Sequence, residues 1–187
     1  ASSDAPVLVD KFNQGREAEV DLVCDGKRVI LSGIMEHIEA AGIHSGDSMA
    51  SFPPISLSPS VQDCIRDSAT RIALELGVRG MLNIQFLIAD DVPFVLEVNP
   101  RASRTVPYIS KVTGVPLVRL AVQVMLGAKL PEPPEMPARI FAVKAPVFSF
   151  QKLTKVEPML GPEMKSTGEI MGVDSSYPSA LAKAIEA

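Results

Sequence analysis

Gln85, Glu97, Asn99 and Arg101 have the types and spacing to hold a hard cation against a phosphate. Magnesium takes oxygen ligands from carboxylates, amide carbonyls, water and phosphate, and proteins usually supply one or two carboxylates and leave the rest to substrate. Glu97 and Asn99, at i and i+2, share one face of a strand, and Gln85 lies on the strand before it. If that hairpin is centred on Asp91, Gln85 stands directly across from Glu97, and a slip of one residue would part them. Arg101 follows the rigid Pro100 and offers a planar fork of donors to a phosphate. Polar alternation by itself would suggest only the solvated face of a half-buried hairpin. The residue types argue otherwise: oxygen ligands with no lysine among them, beside a second arginine, Arg104.

Other residues with reactive chemistry are few. His37 and His44 both fall in residues 36–54 (EHIEAAGIHSGDSMASFPP), a stretch rich in Gly, Ser and Pro that predicts a long loop of the kind that often carries function. Taken alone, each is a loop histidine bonded to a nearby carbonyl. Cys24 and Cys64 have no Cys or His at metal-ligand spacing beside them, which argues against a zinc site and for reduced, structural thiols.

The elements that must position these groups can be read from periodicity. Residues 6–12 (PVLVDKF) are apolar and extended; in residues 15–33, Glu17, Glu19 and Asp21 alternate with Ala18, Val20 and Leu22, as in a strand with one wet face. Asp25-Gly26 turns the chain back. Ser58-Pro59 reads as N-cap and first helical position, with Val61, Ile65, Ala69, Ile72 and Leu76 on one stripe and Gly77 as terminator. Residues 80–101 give two strands around Asp90-Asp91, with Leu82, Ile84 and Phe86 on one face of the first and Phe94, Leu96 and Val98 on one face of the second. A short helix follows within residues 104–114, and Pro116 opens another whose buried stripe is Leu117, Leu120, Ala121 and Val124. Residues 131–137 (PEPPEMP) read as a proline linker, then RIFAVKAPVF as a strand, GPEMKSTGEIMG as a turn, and SYPSALAKAIEA as a terminal helix with partners outside the chain.

The fold expectation is an α+β lobe: a mainly antiparallel sheet, helices packed on one face, opposite the oxygen ligands, and the GIHSGDS loop near the open face. Residues 1–130 would form the lobe and residues 131–187 the linker, closing strand and junction. With 187 residues, 47% of them hydrophobic, the chain has material for one good core. Its 18 basic and 22 acidic residues, a formal net charge of −4, give no broad attraction to nucleic acid or an anionic membrane. Any phosphate must therefore be held by a local basic cluster. No secretory leader and no apolar run of spanning length is present, so a cytoplasmic location is expected.

The run LEVNPRASRTVPYISKVTGVPL, with MLNIQF upstream, resembles the metal and phosphate segment of the ATP-grasp superfamily, and in detail that of carbamoyl phosphate synthetase. EHIEAAGIHSGDS and GPEMKSTGEIMG are similar to two further stretches of that family. Its large subunit has two homologous synthetase halves, one phosphorylating bicarbonate and the other carbamate. NPRASRTVP resembles the second half, and GPEMKSTGEIMG the junction toward a C-terminal allosteric domain. The resemblance thus implies the C-terminal lobe of the carbamate-phosphorylating half, serving pyrimidine and arginine biosynthesis.

The resemblance also implies roles for individual residues. Gln85 and Glu97 would hold one divalent ion, magnesium or manganese, and Glu97 with Asn99 a second; potassium is a further implied cation. Arg101 and Arg104 would grip the transferred phosphate or the carbamate, with His44 near the reacting phosphate. ATP would meet Glu17 at its ribose, the backbone of Asp10 to Phe12 at its adenine edge, and Gly42, Ile43, His44 and Ser45 as well as Gln85 and Glu97. His37 is assigned no role beyond structure. The implied partners are the rest of the large subunit and a glutaminase small subunit. The other nucleotide lobe would precede residue 1, so the chain alone is expected to bind ATP weakly, to lack turnover, and to expose apolar surface that favours dimers. The competing readings are another ATP-grasp ligase, such as a biotin carboxylase or purine-pathway carboxylase, and a non-catalytic nucleotide-binding module.

Overall fold

The structure, a computed structural model, describes residues 9, 11, 13–133, 140–152 and 157–187. Seven strands form one sheet: β1 (Arg16–Asp25), β2 (Val29–Ala40), β3 (Ala50–Phe52), β4 (Arg79–Ala89), β5 (Val92–Asn99), β6 (Phe141–Val147) and β7 (Gly168–Asp174). Their spatial order is β5-β4-β1-β2-β3-β6-β7, and every neighbouring pair is antiparallel. The sheet runs through the expected boundary near residue 130, because β3 pairs with β6. Four helices join it: α1 (Pro59–Glu75), α2 (Val106–Thr113), α3 (Leu117–Met125) and α4 (Tyr177–Glu186). No described helix is long and apolar enough to cross a membrane.

The alternation on β1 sorts the two faces. Ala18, Val20 and Leu22 join Leu82, Ile84 and Phe86 of β4 under α1, which contributes Val61, Ile65, Ala69 and Ala73. Burying each of its larger side chains stabilises by about 1.5–3 kcal/mol. Ser58 caps α1 by accepting from the Val61 N–H, and Gly77 ends it at φ +60°. α4 lies on the same side, setting Ala180 and Ala184 against Val143 and Ala145 of β6.

The opposite face is apolar at one end and polar at the other. Val23 of β1 and Met81 of β4 pack beneath Ile109, Leu117, Leu120 and Val124 of α2 and α3. Further along the same strands, on this same face, come Asp21, Glu19 and Glu17, and Asn83 and Gln85. Helices therefore cover both faces, whereas the sequence pattern placed them only opposite the oxygen ligands. The apolar stripe of α2 and α3 finds Val23 and Met81, which alternation puts on the face of Asp21 and Asn83 without showing that helices cross to that side. Glu17, Glu19 and Asp21 are likewise not a wet face; all three are buried.

Three local expectations also change. Residues 36–40 continue β2 rather than opening the loop, which spans residues 41–49; their polar character reflects a buried polar site, not solvent. The second half of GPEMKSTGEIMG is β7, and Gly172 is there because a Cβ would stand 2.0 Å from the Ala180 carbonyl oxygen. The terminal helix has its partners within the chain, on β6 and β7. Apolar side chains do remain exposed on the edge strand β5, at Val92, Phe94, Val95 and Leu96, and on α3 at Val118, Val122, Met125 and Leu126.

Candidate active site

The β4–β5 hairpin sets the oxygen ligands. Asp90 and Asp91 both have positive φ, 50° and 59°, and make a two-residue turn whose flanking pair is Ala89 and Val92. Carried along unbroken, that register would put Gln85 opposite Leu96. An irregularity beyond Phe86–Val95 inserts one extra residue on β5, so that Gln85 pairs with Glu97 and Asn83 with Asn99. The expected pair forms, but through the bulge rather than a turn centred on Asp91. The bulge also places Val95, not Leu96, opposite Phe86.

Asn99 donates through its amide nitrogen to Glu97 Oε1 at 2.8 Å, which leaves the amide oxygen free to act as a ligand. Among the described residues no three His, Cys, Asp or Glu side chains converge as a metal cage. One carboxylate and two amides fit a magnesium ion whose remaining ligands come from nucleotide phosphates and water.

Two adjoining cavities meet at Gln85, Glu97, His44 and Ser45. The first, about 100 Å³, is lined also by Arg101, Arg104, Lys144 and Glu169. The second, about 260 Å³, is lined by Glu17, Gly42 and Ile43 with Pro162. The described residues to which ATP contacts were ascribed thus border one space, and the arginines border its neighbour. Asp10 and Phe12 lie outside the described residues. Larger apolar clefts, of about 490 and 510 Å³, run beside α3 and between α1 and β3; neither gathers oxygen ligands, and the polar pair is the better candidate for chemistry.

Backbone contacts hold His44 in place. Its N–H donates to the Gly161 carbonyl at 2.8 Å, and its Nδ1 accepts from the Gly46 N–H at 3.0 Å. An accepting Nδ1 fixes the proton on Nε2, available as a donor. Arg104 Nε stands 3.5 Å from Glu169 Oε1 and its guanidinium touches Met164 Sδ, whereas Arg101 donates to the Ala102 carbonyl at 3.1 Å.

Behind the cavities sits a buried charged cluster that includes His37. Its Nδ1 lies 3.5 Å from Glu17 Oε2 and its Nε2 lies 3.6 Å from Glu19 Oε1, distances at which the attraction is coulombic, and among the described residues neither ring nitrogen has a hydrogen-bond partner. Burial alone would lower the His37 pKa, but the two carboxylates prevail and push it up to about 9. Burial likewise opposes ionisation of Glu19, yet His37 and Lys144 hold it below its usual value. Glu17 Oε1 accepts from the Gly42 N–H at 3.0 Å. Asp21 is pushed up to about 6, first by burial and then by the Glu19 charge.

Sequence reasoning missed Lys144 and Glu169, and read Glu19 as surface. Lys144 is 1% exposed and donates to the Ser45 carbonyl at 2.8 Å. A lone lysine inside an apolar strand, FAVKAPV, is the signal that could have found it. Glu169 carried no such mark. Cys24 is buried as expected, but Cys64 is exposed on α1.

Comparison with known proteins bears on the fold and the family. The chain is similar to biotin carboxylase from Campylobacter jejuni, solved as a β-γ-ATP complex, with TM-score 0.61 and 18% identity over 72% of this chain. It is also similar to the urea amidolyase of K. lactis, with TM-score 0.74 and 15% identity over 92% of this chain. It spans 30% and 12% of those two chains. At such identities the likeness concerns fold, and the fold is that of an ATP-grasp lobe. Residues 1–133 match the family model described as carbamoyl-phosphate synthase L chain, ATP binding domain, and the chain belongs to that family. It is an ATP-binding domain of the ATP-grasp carboxylases and ligases.

Proposed function

We propose that the chain is the C-terminal lobe of the carbamate-phosphorylating half of a carbamoyl phosphate synthetase large subunit, at work in the cytoplasm with a glutaminase subunit supplying ammonia. The observation that carries this reading is the convergence of Gln85 and Glu97 with Arg101, Arg104 and His44 on one small cavity, beside a larger one bordered by Glu17 and Gly42. The wording of GIHSGDS and NPRASRTVP supports carbamate over a biotin-linked acceptor.

In the reaction a carbamate oxygen attacks the γ-phosphorus of ATP, the bond to the β-phosphate oxygen breaks, and ADP leaves. Arg101 and Arg104 supply fixed positive charge to the carbamate carboxylate and the moving phosphoryl group. His44 donates from Nε2 to a developing oxygen charge. Gln85, Glu97 and Asn99 would hold divalent ions, which when bound neutralise charge on the phosphates. Lys144 keeps the Ser45 backbone turned toward the cavity through its 2.8 Å bond.

Glu97→Gln in the full-length protein keeps the shape and removes the charge. ATP-dependent carbamoyl phosphate synthesis should fall by about a hundredfold or more. Unchanged synthesis would refute the role given to Glu97. Supplying bicarbonate with glutamine or ammonia, against biotin as the alternative acceptor, separates the carbamoyl phosphate reading from the biotin carboxylase reading by product.

A further inference from the structure

We propose that Asp21 is a positioning residue: from β1 it fixes the loop of residues 101–105, and so sets where the two guanidiniums meet the anionic reactant. The inference rests on the reading of Arg101 and Arg104 given above. The loop between β5 and α2 has little of its own to hold it. Its backbone ties are Arg101 N–H to Asn99 at 2.8 Å, Val106 N–H to Ser103 at 3.4 Å and, where it enters α2, Ile109 N–H to Thr105 at 2.9 Å. The residues on either side of Arg104 are anchored instead through side chains. Ser103 Oγ and Thr105 Oγ1 each lie 2.7 Å from Asp21 Oδ2, and Asn83 donates to Oδ1 at 3.2 Å. One carboxyl thus joins β1, β4 and the arginine loop.

Two features set this apart from ordinary packing. Asp21 is 1% exposed and, among the described residues, makes no ion pair. Burying a carboxyl without a cation is costly, and a neutral side chain would fill the space more stably. Thr105, at the N-cap position of α2, makes no capping bond to that helix, because its hydroxyl is turned to Asp21. A forgone cap weakens the start of a helix. Both costs are incurred at one point, the seat of Arg104.

The contacts predict which substitution is tolerated. Ser103 Oγ and Thr105 Oγ1 are also 2.6 Å apart, so three oxygen contacts share the protons of two hydroxyls. An asparagine at this position, with its nitrogen in place of Oδ2, adds a donor there and keeps Oδ1 as acceptor for Asn83. Alanine offers neither.

The test uses backbone nitrogen relaxation and inorganic phosphate titration of this chain by NMR. In Asp21→Ala the amides of residues 102–105 should lose order, and phosphate affinity should fall about tenfold, while amides of the β1–β2 pair keep their order. Asp21→Asn should retain both properties. Loop order and affinity unchanged in Asp21→Ala would overturn the proposal, as would an Asp21→Asn chain no better than the alanine variant. If circular dichroism shows Asp21→Ala unfolded, Ser103→Ala with Thr105→Val removes the loop's end of the clamp, and unchanged loop order there would equally overturn it. Arg101→Ala with Arg104→Ala tests the underlying reading separately. Undiminished phosphate binding in that variant sinks the anion-gripping role, and loop order still judges Asp21.

Discussion

Replacing His37 by glutamine removes the imidazolium that stands between the buried carboxylates of Glu17 and Glu19. Its pKa rises from 6.5 to about 9 in the folded chain, so the folded state binds this proton more tightly than the unfolded one. At 1.36 kcal/mol per unit the shift corresponds to about 3 kcal/mol of stability. That contribution is complete below pH 6.5, declines as pH rises, and is gone above about pH 9. Cys24, whose buried thiol is pushed above 9.0, adds its own loss only beyond that range, so the interval from 6.5 to 9 reports on His37. Urea unfolding followed by circular dichroism at half-unit steps of pH measures it. The unaltered chain should lose about 3 kcal/mol across the interval. His37→Gln should be nearly flat there and, with two carboxylates left facing each other, about 3–5 kcal/mol less stable at pH 7. A flat profile in the unaltered chain, or the same slope in the variant, would refute the reasoning.

Two further substitutions probe how the last third of the chain is attached. Gly172→Val sets a side chain where a Cβ already stands 2.0 Å from the Ala180 carbonyl oxygen and 2.6 Å from the Ala184 nitrogen. α4 must retreat, at a cost of about 2–4 kcal/mol in urea unfolding, and a loss below about 0.5 kcal/mol would show that the helix is not seated there. Asp47 is buried and accepts from the Lys165 and Ser166 N–H groups at 2.8 Å each. Asp47→Ala should therefore speed tryptic cleavage after Lys165, since the orphaned amides cost about 1–3 kcal/mol; an unchanged cleavage rate would count against this anchoring.

Local signals proved reliable where the cause of structure is local. Ser58-Pro59 and Gly77 bound α1, and the stripe Leu117, Leu120, Ala121 and Val124 is the buried side of α3, as their spacing predicts. The pairing of Gln85 with Glu97 was also legible, though the turn is centred between Asp90 and Asp91 rather than on Asp91, and a bulge made good the difference. Less was readable where a residue's meaning depends on distant partners. Glu17, Glu19 and Asp21 have the alternation of a solvated strand, and it takes β2, β4 and the loops after β2 and β5 to turn that face into an interior. Lys144 and Glu169 come from strands on the far side of the sheet. No spacing rule links them to Glu97. The terminal helix was assigned outside partners because a strand interrupted by Gly168 and Gly172 resembles a turn until the helix packed on it is known.

The extra residue on β5 lies between the cation ligands and the outer end of their hairpin. It uncouples the two. A change in sequence around Ala89–Val92 can be absorbed at this kink without rotating Glu97 away from Gln85, and deleting Leu96 itself would only straighten the strand, since Glu97 would then follow Val95 and still face Gln85. The outermost strand can thus evolve freely at its tip while its inner half stays fixed in phase.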